Sequence, residues 1–297
     1  MTRTLMTKKI DVVLVTYNRL SLLKECLEAL LQQEGISKIF IINNNSNDGT
    51  EEYLSMFETD PKVNAESLKE NIGGAAGFEY GVKKATQQGF GDYVWIMDDD
   101  TIPNKNAAIN LLRAADLLKD KFGFLCSNVR WIDNTPSNIA HVNTNWPSKI
   151  NEGLIQVDAA TFVSILVPKD NIKIKGYPIG KMQIWGDDTE YTTRLSSYKE
   201  SYFVADSVVI HKTAYNLVKD SLKNIEANRI SRFEAMFRNL IYIKRKFGSK
   251  KDVLKMIVGN LLKGFGALSA KNHRLKRLKA AVVGTVKGLF FNPEIKK

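Results

Sequence analysis

The sequence is poor in cysteine, histidine and proline, and it has no long apolar run. Its 297 residues include two cysteines, Cys26 and Cys126, three histidines and seven prolines. Two cysteines cannot form a disulfide framework or a cysteine-based metal site, and we expect both to be buried thiols in a reducing cytosol. No window approaches the roughly 18 consecutive apolar residues that a membrane-spanning helix needs. The first residues also lack the apolar core of a secretory signal, which predicts a cytoplasmic protein.

Charge is unevenly distributed along the chain, whose net charge is +11. Residues 217–297 contain 20 Lys/Arg and 5 Asp/Glu, whereas residues 1–216 contain 23 and 27. The basic excess therefore lies entirely in the C-terminal part. This asymmetry predicts a near-neutral body, residues 1–215, followed by a basic helical region, residues 216–297, that faces an anionic surface.

Strand and helix patterns alternate over the first hundred residues, and polar clusters follow the strands. This alternation predicts a parallel sheet with helices on both faces, in which ligands gather at the C-terminal ends of the strands. The predicted strands are 11–15, 38–42 and 93–97, the helices 20–33, 51–57 and 78–88, and the polar clusters 16–18, 43–46, 71–74 and 98–100. Further strands are predicted over 124–130, 157–167 and 202–211, and helices from about residue 216 onward.

Three consecutive carboxylates, Asp98, Asp99 and Asp100, directly follow the strand predicted over 93–97. Adjacent like charges cost free energy unless a cation binds there, and hard divalent cations prefer carboxylate oxygens. Because side chains alternate along an extended segment, Asp98 and Asp100 should point to one side and Asp99 to the other. The pattern predicts a metal site that serves a diphosphate; the alternative is a solvated acidic turn.

An ordered set of motifs between residues 10 and 215 resembles the nucleotide-sugar-dependent family 2 glycosyltransferases. The resemblance implies an α/β GT-A fold, a Rossmann-like mixed sheet flanked by helices, here with a basic C-terminal helical extension. A glycine-rich turn and a W-G-D-D-T-E-Y segment are similar to those of bacterial galactofuranosyltransferases and their rhamnosyltransferase relatives. The matching segments are 15–19 (VTYNR), 42–50 (INNNSNDGT), 71–78 (NIGGAAGF), 98–100 (DDD), 187–194 (DDTEYTTR) and 209–211 (VIH).

The resemblance and the chemistry of the side chains together assign a metal site and a donor site. Asp98, Asp100 and His211 are the expected ligands of Mn²⁺ or Mg²⁺, although His211 would also suit a buried, hydrogen-bonded histidine. The glycines would let the backbone approach the donor closely, unless they only form a loop before a helix. The expected donor-binding residues are Thr16, Tyr17, Asn18, Arg19, Asn43, Asn45, Asn71, Gly73, Gly74 and Asp99.

Asn43 departs from the family pattern, which usually has an aspartate that contacts the base of the nucleotide. An amide oxygen still accepts a hydrogen bond from uracil N3–H, but without charge, and the amide can reorient for another base. The sequence therefore favours a UDP donor and leaves dTDP open.

The second chemical requirement is a base that deprotonates the acceptor hydroxyl, and Asp188 is the predicted base. Neighbouring acids and burial would raise its proton affinity. Asp187 and Glu190 are the competing acids, and Arg194 would orient the cluster if residues 187–194 are helical. The alternative is a solvated acidic helix start. The predicted acceptor-binding residues are Trp185, Trp146 and His141.

The basic C-terminal region shows two amphipathic patterns, over residues 251–267 and 274–291. Basic amphipathic helices are typical of membrane-surface elements, and clustered Lys/Arg near anionic lipid contribute on the order of 1 kcal/mol each. We therefore expect peripheral contact with the inner face of the cell membrane. The alternatives are a helix pair packed on the body and a dimer contact; no interleaved aromatic platform supports nucleic-acid binding.

Together these features predict an inverting, metal-dependent glycosyltransferase, and the resemblance implies a place in bacterial surface polysaccharide synthesis, such as that of O-antigen or capsule. The expected reaction moves galactofuranose from UDP-galactofuranose to a glycan or lipid-linked acceptor. The alternatives are a rhamnosyltransferase that uses dTDP-rhamnose and a non-catalytic sugar-nucleotide-binding protein. A binding protein would not need Asp98, Asp100, Asp188 and His211 together, which favours the enzyme.

Overall fold

The computed structural model describes residues 8–214, 216 and 221–297, and here one mixed sheet lies between layers of helices. The strands are β1 Ile10–Thr16, β2 Ile36–Asn43, β3 Val63–Ser67, β4 Tyr93–Asp98, β5 Thr101–Pro103, β6 Leu125–Trp131, β7 His141–Val142, β8 Leu154–Ala159, β9 Ser164–Pro168 and β10 Ser201–His211. The α-helices are α1 Leu20–Leu31, α2 Thr50–Ser55, α3 Gly74–Gln88, α4 Ala107–Leu117, α5 Lys169–Lys175, α6 Asp187–Ser196, α7 Ile230–Phe247, α8 Lys250–Gly266 and α9 Arg274–Phe290. Short 3₁₀ helices span Trp146–Glu152, Gly180–Met182, Ala227–Arg229 and Ala267–Ser269.

The strand order is β3-β2-β1-β4-β9-β6-β10-β8-β7, with β5 paired to β10. The first four strands are parallel, as the alternating pattern predicts. β9 then runs antiparallel between β4 and β6, which makes the sheet mixed. The C-terminal ends of β1, β2 and β4 therefore share one edge, where the predicted polar clusters lie.

Alternating side chains of the central strands build a core on each face of the sheet. Val12 of β1 packs on the face covered by α1 and α4, whereas Val13 packs on the face covered by α3. On the α3 side, a Cβ at Gly81 would lie 2.6 Å from Val13 Cγ1, so the helix backbone rests directly on the strand. This close packing fixes the position of the glycine-rich turn from which α3 begins.

Several element boundaries differ from the sequence prediction. The single strand predicted over 157–167 is wrong: β8 ends at Ala159 and β9 begins at Ser164. The interruption between β8 and β9 is stabilised by Thr192 of α6. Its hydroxyl accepts a hydrogen bond from Ala160 N and lies 3.1 Å from Ala160 O. α3 begins at Gly74 instead of residue 78, inside the glycine-rich turn. The short strands β3, β5 and β7 and the helix α4 were not predicted.

The predicted C-terminal helices are confirmed as α7, α8 and α9, which form one packed layer. Two glycines bring the backbones of α7 and α9 into contact: a Cβ at Gly284 would lie 2.4 Å from Glu234 O, and one at Gly288 would lie 2.7 Å from Arg238 O. α8 is joined to α9 by a buried hydrogen bond from Asn260 Nδ2 to Thr285 Oγ1 at 3.1 Å.

The chain end returns to the body after α9. Tyr177 N donates to Lys296 O at 2.9 Å, and Lys296 Nζ lies 2.6 Å from Glu79 Oε1 on α3. The C-terminal layer is thus packed on the body. The boundary expected between residues 215 and 216 adjoins residues 215 and 217–220, which lie outside the described residues. Within the described ranges, no helix combines the length and the apolar character needed to cross a bilayer.

Candidate active site

The acidic cluster lies where β4 ends and the chain turns into β5. Asp98 is the last residue of β4, and Asp99 and Asp100 form the turn that follows. β5 pairs antiparallel with β10, and Thr101 lies opposite His211 in this register. The pairing brings a histidine from more than a hundred residues away to the acids, with His211 Nε2 3.1 Å from Asp100 Oδ1.

The three predicted metal ligands converge. Ligand atoms of Asp98, Asp100 and His211 all lie within 4.8 Å of one another. Asp99 lies outside this group, and Arg19 contacts both Asp99 and Asp100: its Nη1 is 3.2 Å from Asp99 Oδ1 and 2.5 Å from Asp100 Oδ2. Asp98 and Asp100 therefore share a group as expected, but Asp99 is not separated from Asp100, because one guanidinium contacts both.

The electrostatics of this cluster favour a bound cation. Burial and the neighbouring Asp100 raise the pKa of Asp98 to about 7, and burial raises the pKa of Asp99 to about 6. Burial acts the same way on Asp100, but the hydrogen bond and charge of His211 keep the pKa of Asp100 below its usual value. Asp99 Oδ2 is buried without a hydrogen-bond donor, and buried Asp100 Oδ1 lies 3.1 Å from His211 Nε2, which gives it a donor only when that nitrogen carries the proton. Buried carboxylate oxygens without donors suit a divalent cation better than an empty cleft.

Asn138 is a site residue that the sequence did not reveal. Its Oδ1 lies 2.9 Å from His211 Nδ1, and its backbone has a left-handed φ of 43°. If His211 donates Nδ1–H to this amide oxygen, its Nε2 lone pair faces the acids, as a metal ligand requires. Asparagine tolerates the left-handed region better than most residues, but one asparagine among many in a loop gives no sequence signal for this role.

The loops after β1 and β2 are tied together by asparagine and serine side chains. Asn18 Oδ1 accepts from Asn47 N at 2.8 Å, and Asn18 N donates to Ser46 Oγ at 2.9 Å. Both polar atoms of the buried Asn43 side chain form hydrogen bonds: Nδ2 donates to Ser67 Oγ and Oδ1 accepts from Ser46 N, each at 3.0 Å. In this arrangement Asn43 shapes the loop, while Tyr17 and Asn45 are exposed at its surface.

The glycine-rich turn lies beside these loops. Asn44 Oδ1 accepts from Ile72 N at 2.9 Å, and Asn71 Oδ1 accepts from Gly73 N at 2.9 Å. Gly73 has a φ of 86°, which glycine adopts without strain. A Cβ at Gly74, the first residue of α3, would meet nothing within 4 Å, so the start of this helix borders open space. Asn44, which links the two loops, was absent from the predicted donor site.

The predicted acid pair forms the first turn of α6. Asp187 is buried and Asp188 is half-buried, and Asp188 Oδ1 accepts from Thr189 N at 2.6 Å. Burial, with added repulsion from Asp188 and Asp98, raises the pKa of Asp187 to about 7; burial also raises the pKa of Asp188. Because the charge of Asp98 contributes to the raised pKa of Asp187, the two acidic clusters are close enough to interact electrostatically.

Glu190 and Arg194 have a different setting from the acid pair. Both are buried, and Arg194 Nη2 lies 2.9 Å from Glu190 Oε2. Arg194 Nη2 also donates to Tyr177 O at 2.9 Å, and Arg194 Nη1 donates to Lys175 O. The arginine thus joins α6 to the loop after α5 and contacts neither Asp187 nor Asp188.

The three predicted acceptor residues occupy two places. Trp185 precedes the acid pair, packs edge-on against Phe233 of α7 at 5.3 Å between ring centroids, and lines a cavity of about 930 Å³. The other residues that line this cavity, Met236 and Lys263 among them, come from the C-terminal region. His141 and Trp146 are exposed on β7 and the following 3₁₀ helix.

Comparisons with known proteins agree with this geometry. A family model described as "Glycosyl transferase family 2" matches residues 11–168, just over half of the chain. The chain is 31% identical over 106 residues to galactofuranosyltransferase GlfT1 of Mycolicibacterium smegmatis. That match covers 36% of this chain and 34% of the relative, so only about a third of the relative's length is represented.

Two solved structures share the fold. The crystal structure of GalNAc-T7 with UDP, GalNAc and Mn²⁺ matches with a TM-score of 0.67 at 16% identity, over 92% of this chain and 54% of that one. The structure of S. aureus TarS, residues 1–349, matches with a TM-score of 0.55 at 13% identity, over 95% of this chain and 91% of that one. At these identities the likeness concerns the fold, and it confirms the predicted GT-A architecture.

Proposed function

Because the chain belongs to glycosyl transferase family 2, we propose that it is an inverting, metal-dependent enzyme that transfers a sugar from a nucleotide diphosphate to a glycan or lipid-linked acceptor. The observation that carries this proposal is the convergence of Asp98, Asp100 and His211 at the edge of the sheet. The acid pair Asp187–Asp188 at the start of α6 is within electrostatic reach of this group, since the charge of Asp98 contributes to the raised pKa of Asp187.

Asp98, Asp100 and His211 would hold a Mn²⁺ or Mg²⁺ ion. Such an ion supplies Lewis-acid stabilisation of the diphosphate leaving group. The fit rests on the mixed carboxylate and imidazole donor set and on the close approach of two of its atoms, with buried Asp100 Oδ1 3.1 Å from His211 Nε2. The solved structure of GalNAc-T7 contains Mn²⁺, which makes this ion the first to test.

We propose UDP-galactofuranose as the donor. The relative named galactofuranosyltransferase GlfT1 supports the sugar, and the UDP bound in the GalNAc-T7 structure supports the nucleotide. The loops after β1 and β2 and the glycine-rich turn would surround the donor. The proposed contacts are Thr16, Tyr17, Asn18, Arg19, Asn43, Asn45, Asn71, Gly73, Gly74 and Asp99.

The runner-up donor is dTDP-rhamnose, and the setting of Asn43 keeps it in consideration. Both polar ends of the Asn43 amide bond neighbouring residues, Ser67 and Ser46. A charged hydrogen-bond acceptor for uracil N3–H is therefore missing at this position. Base selection would fall to exposed Tyr17 and Asn45, which suit either pyrimidine.

Asp188 is the proposed general base. It would accept the proton of the acceptor hydroxyl as that oxygen attacks the anomeric carbon and the bond to the diphosphate breaks on the opposite side, which inverts the configuration. The hydrogen bond from Thr189 N to Asp188 Oδ1 orients the carboxylate, and burial raises its pKa toward the value that a base needs near neutral pH. Asp187 is the competing candidate for the base; if Asp188 takes the proton, Asp187 would only add negative charge beside it.

The acceptor would approach through the cavity beside Trp185. An indole ring next to the acid pair offers an apolar face to a sugar ring, and the cavity of about 930 Å³ has room for more than one sugar. His141 and Trp146 would contact more distant parts of a long acceptor from their exposed positions.

We also propose that α8 touches the inner face of the membrane. Its side chains Leu254, Val258, Leu262 and Phe265 are between 47% and 65% exposed and recur at helical spacing. Lys251 and Lys255 lie among them on the exposed side. An apolar stripe flanked by lysines suits an anionic lipid surface, which would bring the enzyme to a lipid-linked acceptor.

A donor panel tests the proposed function directly. UDP-galactofuranose, UDP-galactopyranose, UDP-glucose and dTDP-rhamnose are compared by thermal shift with Mn²⁺ and with EDTA. Donors that stabilise the protein only with metal are then incubated with octyl glycosides of galactose, rhamnose and N-acetylglucosamine, and the anomeric configuration of the product is read by NMR. We expect UDP-galactofuranose to stabilise most and the product to be inverted. Binding of all donors without metal, or a retained configuration, would contradict the proposal.

A further inference from the structure

The loop that leads into the acid pair has an unusual backbone. Gln183 and Trp185 have positive φ values of 67° and 57°, and Gly186 has a φ of 95°. Glycine adopts this region freely, whereas glutamine and tryptophan do so only where the surrounding structure holds them. A contact from outside the loop must therefore keep Gln183 and Trp185 in place.

Asn239 of α7 supplies that contact. Its side chain is fully buried, and its Nδ2 donates to Met182 O at 2.9 Å and to Trp185 O at 2.8 Å, with Ile184 O at 3.3 Å. Three carbonyls of the loop thus converge on one amide group. A hydrogen-bonding side chain fully removed from water is costly unless it is satisfied, so this contact is specific.

The orientation of the Asn239 amide is itself fixed. Arg238 Nε donates to Asn239 Oδ1 at 3.0 Å, so the NH₂ end of the amide must face the loop. Arg238 Nη2 also donates to Lys181 O and Met182 O, each at 3.0 Å. Arg238 and Asn239 both belong to α7 of the C-terminal layer. Through hydrogen bonds to backbone carbonyls, they hold the segment of residues 181–185 in place.

The held loop connects the two halves of the candidate site. Gln183 O accepts from Ala75 N at 3.3 Å, next to the glycine-rich turn. Gly186 precedes Asp187, and a Cβ at Gly186 would lie 3.3 Å from Asn239 Cβ. A shift of this loop would therefore move the acid pair relative to the turn at which the donor is proposed to bind.

We propose that Asn239 is a positioning residue: it holds the loop of residues 182–186, and through that loop it places Asp187 and Asp188 for transfer. This inference rests on the proposed function for its effect on catalysis. Its structural part, the control of the loop by α7, stands apart from the identity of the substrate. It assigns the basic C-terminal layer a direct role in building the active site.

The Asn239→Ala variant tests the proposal, with Asn260→Ala as the matched control. Asn260 is also fully buried in the C-terminal layer and also donates a side-chain hydrogen bond, but to Thr285, within that layer. We expect Asn239→Ala to lower kcat by about 10- to 100-fold, because misplacement of a catalytic group by about 1 Å has an effect of this size. KM for UDP-galactofuranose and the Kd for UDP with Mn²⁺ should stay within about twofold. Asn260→Ala should affect Tm alone.

Hydrogen exchange provides a readout that needs no substrate. Amides of residues 182–188 should exchange about tenfold faster in Asn239→Ala than in the wild type, and at unchanged rates in Asn260→Ala. If Asn239→Ala does not fold, Arg238→Ala is measured instead, since Arg238 is only half-buried; we expect a smaller fall in kcat, about threefold to tenfold.

The two proposals fail in different ways. An inactive wild type that binds no donor would overturn the proposed function, yet the exchange experiment would still report on the loop. An active wild type with unchanged kcat and unchanged exchange in the folded variant would overturn the role of Asn239. Equal losses of kcat in Asn239→Ala and Asn260→Ala would also overturn it, because they would show a general effect of stability.

Discussion

Asp188 and Glu190 stand two residues apart at the start of α6, but the fold gives them different surroundings. Glu190 is fully buried and paired with Arg194. Asp188 is half-buried at the cleft and is hydrogen-bonded only through Thr189 and its neighbours on α6. A base needs access to the acceptor hydroxyl, so these surroundings favour the proposal of Asp188 over Glu190 as the base.

Asp188→Asn should abolish transfer, by at least about a hundredfold in kcat, because an amide cannot accept the proton. The Kd for UDP-galactofuranose with Mn²⁺ should change by less than about threefold, since the proposed donor site lies at the strand edge. Isothermal titration and a UDP-release assay measure the two quantities. Normal turnover by the variant would exclude Asp188 as the base and leave Asp187.

Glu190→Gln serves as the comparison for Asp188→Asn and should show the opposite pattern. Removing one charge of a buried ion pair leaves Arg194 uncompensated, which costs about 3–5 kcal/mol. We therefore expect a clear fall in the free energy of unfolding in urea, with substantial kcat remaining in the folded protein. A stable but inactive Glu190→Gln variant would indicate that Glu190 takes part in the chemistry.

Asn138→Gly tests the hydrogen bond that orients His211. Glycine accepts the left-handed backbone at this position, so the substitution removes the side chain without straining the loop. Loss of a partner behind a metal ligand weakens metal binding by about 10- to 100-fold, and we expect the Kd for Mn²⁺ to rise by that factor. Asn134→Gly, at another left-handed asparagine of the same loop, should leave the Kd unchanged.

Sequence reasoning at the residue scale identified side chains that belong to motifs and missed those that support them. Asp98, Asp100 and His211 were predicted and do converge. Asn138 and Asn239 escaped notice because each contacts the site across a distance of 50 or more residues. No local pattern records such a contact, since it depends on how loops and helices pack.

At the scale of elements, α8 shows why an amphipathic pattern does not by itself reveal which face is buried. The sequence indicated one apolar stripe over residues 251–267. In the structure α8 packs on α9 through other residues, buried Asn260 and Gly264, while Leu254 and Leu262 of the stripe are more than 60% exposed. Part of the apolar stripe thus lies on the outer side of the helix.

The exposed part of α8 gives a test of membrane contact that leaves the fold intact. Truncation after residue 249 would remove α9 together with α8 and uncover the face of α7 that packs on α9, so the double substitution Leu254→Gln and Leu262→Gln is the better variant. Loss of two leucines that insert partly into lipid should cost about 2 kcal/mol, or about thirtyfold in partitioning onto vesicles with anionic lipid. Sedimentation measures this effect.

Met56→Gln is the control for the membrane test, because Met56 is 76% exposed but lies after α2 in the body. It should not alter partitioning. A wild type that stays in the supernatant, or a double variant that sediments as the wild type does, would contradict membrane contact through α8. A concentration-dependent change in oligomeric state of the double variant would instead indicate a contact between copies.

At the scale of the whole molecule, the sequence predicted the α/β layers and the edge at which the polar loops meet. Parallel strands in alternation with helices can bury their apolar faces in few ways, which makes this part of the fold predictable. The antiparallel insertion of β9 and the pairing of β5 with β10 could not be foreseen. Both depend on long-range pairing, and β5 is only three residues long.

The buried acids also link the stability of the whole protein to pH and metal. Burial raises the pKa of Asp98 and of Asp187 to about 7, whereas an unfolded aspartate titrates near 3.9. Between pH 4 and 7 these two carboxyls therefore bind more protons in the metal-free native state than in the unfolded state, and the stability that they contribute falls as pH rises. The raised pKa of His211 acts in the same direction.

A divalent cation should reverse this loss of stability, because it favours the ionised carboxylates. We expect Mn²⁺ to change Tm little at pH 5 and to raise it by at least about 4 °C at pH 8, which corresponds to about 1–2 kcal/mol for a protein of this size. Thermal unfolding in Mn²⁺ and in EDTA across this range measures the difference. Asp98→Asn removes one of the raised carboxyls and a ligand, so its Tm in EDTA should vary less with pH and respond less to Mn²⁺. A shift by Mn²⁺ that is independent of pH would show that these acids do not form the metal site.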